Sequence, residues 1–434
     1  MMIIKRLAFL TSIGSGLEYY DFVVYGLLSP YLGRLFFPTA SAWASLLQAL
    51  SLFAMGYLAR PIGGIVFGHI GDKFGRKKAL LLSASLISLA TFAIGMIPDY
   101  SRVGYWGTFC LIVFRLLQGL AFGAEMPGML TFITEHAPPR DKGLYFGFVL
   151  SAVSLGGLLG SGIPFLLSHV LTDQRMLAYG WRIPFYLGGI WSIAIFIVRN
   201  RIAETPLFMA HEAQRLTWPL MALRQYPNEI ISGISICLFP ACLIVLGIAL
   251  PGYVGRYGGY APETVFLSVF VGALSSLFIL PLFGRLSDIL GSRRLLYWTA
   301  GIFMVVGYGF FSLLQCTALW VFFIVYNVIV AALANAYLQT LVTLFPVAIR
   351  FSGVGFCYNV VYSVAGFVPL LLGVWSTHHH LVVFLYGFFT LLALMTLWGC
   401  WRIKRIVSTV TDDSTLQGLF RTYLRTIMDI SPYK

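Results

Sequence analysis

The chain has 434 residues, of which 59% are hydrophobic and only 10% charged. A water-soluble domain carries about 25% charged residues, so this composition excludes one and makes lipid the solvent. The net charge of +13 would fit a nucleic-acid surface only if the charges were clustered on one folded face, and they are not.

Twelve apolar segments follow in chain order, each long enough for the roughly 20 residues that a bilayer core requires. They lie at about 7–32, 44–70, 78–98, 104–128, 143–169 and 182–200, then at about 229–254, 263–283, 293–313, 316–343, 351–373 and 380–402. No period-2 alternation of the kind a membrane barrel needs is present. The fold class is therefore all-α and polytopic, with twelve transmembrane helices. The expected division is an N-terminal six-helix bundle over 1–200, a polar linker over 201–228, a C-terminal bundle over 229–402 and a tail over 403–434.

With both termini on one side, the 29 Lys and Arg distribute unevenly. Only Arg34, Arg102, Arg175, Arg182 and Arg256 fall on the opposite side, and Arg60 and Arg115 lie within segments. All the others, including Lys73, Arg76, Lys77, Lys78, Arg293 and Arg294, sit with the termini. The positive-inside bias thus predicts cytoplasmic termini. It also explains the net charge as topology, and no nucleic-acid partner is expected. The six cysteines form no CxxC pair and read as small apolar residues. "HHH" at 378–380 reads as an interfacial turn, and no metal site is expected.

The sequence repeats itself. "GHIGDKFGRKKAL" at 68–80 returns as "GRLSDILGSRRLL" at 284–296, with Gly68, Asp72 and Gly75 matching Gly284, Asp288 and Gly291. "RDKGLYFGF" at 140–148 echoes "RFSGVGFCY" at 350–358. Parallel repeats are a transporter pattern, with the solute site between the halves.

Ionisable residues inside spans are rare and usually functional. Here they are Glu18 and Asp21 in the first span, Arg60 in the second, and Arg115 and Glu125 in the fourth. Four unpaired charges at mid-depth would cost about 10–14 kcal/mol in total, so Glu18, Asp21, Arg60 and Arg115 must pair or face a wet cavity. Glu18 and Asp21 stand at i and i+3 on one helix face. Two acids so close in low dielectric resist carrying both charges, which suits a proton-coupling site. The alternative is that arginines lock both acids in place. Asp21 is favoured as the proton carrier because Glu18 has the longer reach to an arginine. The guanidinium fork of Arg115 suits a carboxylate substrate, or else it only neutralises the first-span acids; Gln118 lies one turn away. Arg60, before Pro61, Gly63 and Gly64, reads mainly as packing, with substrate contact second. The second half offers Asn327, Asn335, Gln339, Asn359 and several tyrosines in place of charges. Tyr19, Asn335 and Asn359 join the candidate substrate contacts.

The loop "GHIGDKFGRKK" resembles the cytoplasmic signature of the major facilitator superfamily. "GLEYYDFVVYG" (16–26), "ARPIGGIVFGHIGDKFGRKKAL" (59–80), "RLLQGLAFGAE" (115–125), "YGWRIPFYLGG" (179–189), "ETPLF" (204–208) and "LFPVAIRFSGVGFCYN" (344–359) narrow it to the metabolite:proton symporters. The resemblance implies a secondary active transporter of the bacterial inner membrane, working by alternating access. It is expected to be a monomer without cofactor, with the proton as coupling ion and a small carboxylate-bearing metabolite as substrate. A proline- or betaine-like zwitterion and proton-coupled efflux are the alternatives. "GGLLGSGIP" (156–164) lacks the Gly-Pro pattern of the superfamily's antiporters, which disfavours efflux. The resemblance also implies a gate in which Asp72 and Arg76 meet Glu125, with Gly68 and Gly75 allowing close packing and Asp288 as the second-half counterpart. The second loop departs from the pattern at Ile289 and Ser292. No nucleophile–base pair, phosphate loop or metal cluster appears, so an enzyme is not expected.

Overall fold

The computed structural model describes residues 2–411 except 40–41, 139, 201–223, 258, 316–317, 347–348 and 376–380. Most of the expected linker, the tail beyond 411 and His378–His380 therefore lie outside the described residues, as do the side chains of Asp72 and Arg76.

Among the described residues there are helices and no strands. In hydrocarbon every backbone N–H and C=O must be satisfied within the segment, and a helix achieves that alone. The twelve long helices are α1 (Met2–Phe36), α2 (Ala42–Phe74), α3 (Arg76–Met96), α4 (Tyr105–His136), α5 (Lys142–Val170) and α6 (Arg182–Asn200), then α7 (Pro227–Tyr257), α8 (Pro262–Leu290), α9 (Ser292–Ser312), α10 (Leu319–Thr343), α11 (Arg350–Ala365, resuming at Val368–Trp375) and α12 (Leu381–Thr411). They correspond one to one with the twelve apolar segments. Several outrun the bilayer core: α1 has 35 residues and α2 has 33. The outer faces of α3, α6, α9 and α12 expose Leu89, Ile190, Val305 and Leu391, which suits contact with lipid.

The sequence repeat is also a structural one. Gly75 (φ 112°) and Gly291 (φ 86°) stand 216 positions apart, each capping the helix that follows, α3 and α9 respectively. Both conformations lie where a side chain is strained, and glycine is the residue that enters them freely.

Close helix contacts follow the small residues. A Cβ placed on Gly156 of α5 would meet Gly16 O of α1 at 1.8 Å, and one on Gly63 of α2 would meet Leu120 O of α4 at 1.8 Å. Between the halves, α5 meets α8 and α2 meets α11. A Cβ on Gly143 would lie 2.3 Å from Gly284 O, and one on Gly147 would lie 2.6 Å from Leu280 O. These α5–α8 contacts lie at the end bearing the basic loops, here called the basic end. Towards the far end α1 meets α7, where Gly26 lies against Ile248 O.

Candidate functional site

A cavity of about 90 Å³ lies between the halves, room for several waters or a small solute. α1 and α2 bring Glu18, Tyr19, Phe22, Tyr57 and Arg60 to one wall. α8, α10 and α11 bring Ser276, Asn327, Tyr337, Tyr358 and Tyr362 to the other. The wall from the first half is charged, and the wall from the second half is phenolic and amidic.

Arg60 Nη2 donates to Glu18 Oε1 in an ion pair whose side chains are 2% and 5% exposed. The Arg60 guanidinium also stacks on aromatic faces, 4.6 Å from the ring centres of Phe22 and Tyr57 and 5.3 Å from that of Tyr362. Cation–π contacts gain strength when desolvated, so the rings offset part of the cost of burying this charge. Glu18 Oε2 and Arg60 Nε and Nη1 are buried without a hydrogen-bond partner among the described residues. The pair thus keeps unused donors and an unused acceptor at the cavity wall.

The other two charges form a separate arrangement within the first half. Thr91 Oγ1 donates to Asp21 Oδ2 at 2.6 Å, and Gln118 Nε2 donates to Thr91 Oγ1 at 2.8 Å and to Asp21 Oδ2 at 3.4 Å. Arg115 Nη1 donates to Gln118 Oε1 at 3.0 Å. Its guanidinium lies 4.2 Å from the Tyr25 ring centre and 4.9 Å from that of Phe22. Phe22 therefore touches both guanidiniums. The four charges are two sets, Glu18 with Arg60 at the cavity and Asp21 with Arg115 through Gln118 away from it.

The placement of the sequence candidates follows from this. Glu18, Tyr19 and Arg60 line the cavity, where the sequence alone favoured Asp21 for the proton and gave Arg60 mainly to packing. Arg115 and Gln118 are buried behind that wall, 1% and 0% exposed. Asn335 Nδ2 donates to Leu280 O and Ala331 O, joining α10 to α8. Asn359 Nδ2 donates to Gly123 O at 2.8 Å, joining α11 to α4. Sequence reasoning assigned no solute contact to Tyr57, Asn327, Tyr358 or Tyr362. The i, i+4 spacing of Tyr358 and Tyr362, one turn apart on α11, was the available signal.

At the basic end Asp288 accepts from Gly143 N at 2.5 Å and from Leu144 N at 2.9 Å. A carboxylate at a helix N-terminus satisfies orphan donors and complements the helix dipole. Arg285 Nη1 donates to Asp141 Oδ1 at 2.7 Å beside it. In the first half Gly68 approaches Ser352 of α11, its Cβ position 3.5 Å from Ser352 Oγ. Ser83 Oγ donates to buried Glu125 at 3.4 Å. Asp72 and Arg76, the partners expected for Glu125, fall among the undescribed side chains.

Twelve apolar helices in two repeated halves, with a charged and aromatic cavity between them, define a multi-pass membrane transporter. The family model of the Major Facilitator Superfamily matches residues 11–369, and the chain belongs to that superfamily. It is 31% identical to the shikimate transporter of Escherichia coli strain K12, over 94% of this chain and 95% of that protein. It is 30% identical to the glycine betaine/proline/ectoine/pipecolic acid transporter of Dickeya dadantii, over 82% of this chain and 75% of that one. The citrate-proton symporter of Klebsiella pneumoniae is 30% identical, over 82% of each. A structure of a proton:xylose symporter superposes with a TM-score of 0.75 at 17% identity, covering 93% of this chain and 96% of that one. The protein is a secondary transporter and not an enzyme.

Proposed function

We propose that the chain imports a small carboxylate-bearing solute together with a proton, as a monomer in a bacterial inner membrane with its basic end in the cytoplasm. The observation that carries this reading is the Glu18–Arg60 pair at the cavity wall. Paired, the two side chains neutralise one another and leave no free cation for an anionic solute. A proton on Glu18 releases Arg60, whose fork then takes the solute carboxylate in place of Glu18. Solute and proton enter as a neutral sum, so the loaded cavity carries no more net charge than the empty one, and unpaired charge is costly in low dielectric. Asp21 and Arg115 hold the fold of the first half beside this exchange.

The cavity also supports a second reading, a zwitterion carrying a methylated ammonium. Tyr57, Tyr358 and Tyr362 present aromatic groups at the wall, and two of them already stack on a guanidinium. Such rings recognise quaternary ammonium groups, and two of the relatives above are named for betaine, shikimate and proline substrates of both kinds.

The test is uptake of radiolabelled citrate, shikimate, proline and glycine betaine into proteoliposomes under an imposed proton gradient. The expected result is accumulation of one class that collapses with an uncoupler. Uptake indifferent to the uncoupler would overturn symport, and accumulation driven by an acidic lumen would favour efflux. Glu18→Gln is expected to keep solute binding while losing its pH dependence.

A further inference from the structure

The tyrosine next to Asn327 on α10 does not face the solute. Tyr326 is buried, and its hydroxyl reaches into the backbone of α7, donating to Leu243 O and accepting from Gly247 N at 3.0 Å. Leu243 and Gly247 are four apart, the two residues that one helical turn pairs directly. The phenol oxygen stands between them. Gly247 has no side chain because none fits: its Cβ would lie 2.3 Å from Tyr326 Oη and 2.5 Å from Cζ. One turn on, Pro251 lacks the N–H that would bond Gly247 O. Gly247 O thus lacks its helical donor and Gly247 N bonds to a group outside the helix, conditions under which membrane helices bend.

The two sides of this point have different neighbours. Ile244 and Ile248 line the cavity. Just beyond, Ile248 O abuts Gly26 of α1, the Cβ position of Gly252 lies 3.7 Å from Ser29 Oγ, and the Tyr253 hydroxyl donates to Pro369 O of α11. The segment past Gly247 is therefore the piece of α7 that closes against α1. On α10, Asn327 lines the cavity, where it accepts from Ser276 Oγ at 2.6 Å.

We propose that Tyr326 is a strut that holds α7 bent at Gly247 and so keeps its outer segment against α1, linking the solute cavity to closure of the far end. Tyr326 is a positioning residue that acts through α7. Without the hydroxyl, Gly247 N and Leu243 O have only each other as partners, α7 straightens, and the far end opens.

Two serines report the two ends without reference to any solute. Ser29 is buried beside Gly252 at the far end, and Ser352 is buried beside Gly68 at the basic end. Ser29→Cys and Ser352→Cys would be labelled in the full-length protein with a hydrophilic maleimide and read by peptide mass spectrometry, with the six native cysteines as internal references. Adding Tyr326→Phe is expected to raise labelling of Ser29→Cys at least fivefold and lower that of Ser352→Cys by a similar factor. A rise at the far end with no change at the basic end would mean local loosening and would overturn the strut, as would no change at either. If Tyr326→Phe does not fold, Gly247→Ala is compared with Gly247→Ala/Tyr326→Leu. Recovery of folded protein in the double variant with Ser29→Cys labelled fast, the far end open, supports the strut, and folded protein with its far end closed overturns it. Because the readout involves neither proton nor solute, it fails or succeeds independently of the symport reading.

Discussion

The two ends of the cavity are closed by different chemistry. At the far end the closure is apolar: Gly26 meets Ile248, and Val23, Leu27 and Phe266 form a small hydrophobic cluster of their own. Beyond that cluster lies a second cavity of about 310 Å³ bordered by Tyr31, Arg34 and Asp173, so the far wall is thin. At the basic end the closure is polar. Asp288 holds the N-terminus of α5, Arg285 pairs with Asp141, and Arg350 lies 4.0 Å from Glu135. An apolar wall separates without leaving unsatisfied groups, whereas a polar one must exchange its hydrogen bonds for water. The difference sets what each end responds to: the basic end to charge and salt, the far end to volume.

The comparison breaks most severely at Gly143. A side chain there would collide with Gly284 O and with Asp288 Oδ1, 2.3 and 2.7 Å from the Cβ position. Gly143→Leu is expected to hold the basic end open and reduce transport more than 100-fold, with Ser352→Cys labelled at every time point. Asp288→Ala comes next. Hydrogen bonds to a charged group contribute roughly 1.5–3 kcal/mol each, so with water replacing one of the two, a net loss equal to the other should shift the closure by about tenfold to a hundredfold, visible as faster Ser352→Cys labelling. Gly26→Val is expected to part α1 from α7, raising Ser29→Cys labelling about tenfold while the basic end stays closed. Phe266→Ala thins the far wall alone and should change labelling only about threefold. The smallest effect belongs to Arg34→Ala. Its pair with Asp173 is half exposed, 51% and 59%, and such pairs contribute about 0–1 kcal/mol. Transport should stay within twofold, and raising the salt should leave the far end unchanged while loosening the basic end.

Much of this was legible in the sequence. Span number, the repeat and the family follow from apolar run length and loop motifs, which tertiary packing does not alter. The pairing of the four charges was not. Helical spacing places Glu18 and Asp21 on one face, but which arginine each meets depends on the heights of α2 and α4 beside them. Gly63 and Gly64 do serve packing, as their setting suggested, yet Arg60 beside them turns to the cavity. The asparagines show the same limit. Asn335 and Asn359 are spent on the carbonyls of Leu280, Ala331 and Gly123, and Asn327 is the one of these three at the wall. Spacing identifies a face of a helix, but not which neighbouring carbonyl lies open to it.

The Asp288 contact has a consequence for how its loop can change. Its partners are backbone N–H groups, which every residue except proline supplies. A contact between two side chains ties two positions together, so a change at either needs an answer at the other. This one fixes little beyond Asp288 itself and the room that Gly143 and Gly284 leave for it. The surrounding loop is then free to vary around it, and Ile289 and Ser292 stand where the superfamily's loop pattern usually has a basic residue, beside an aspartate that reaches its helix.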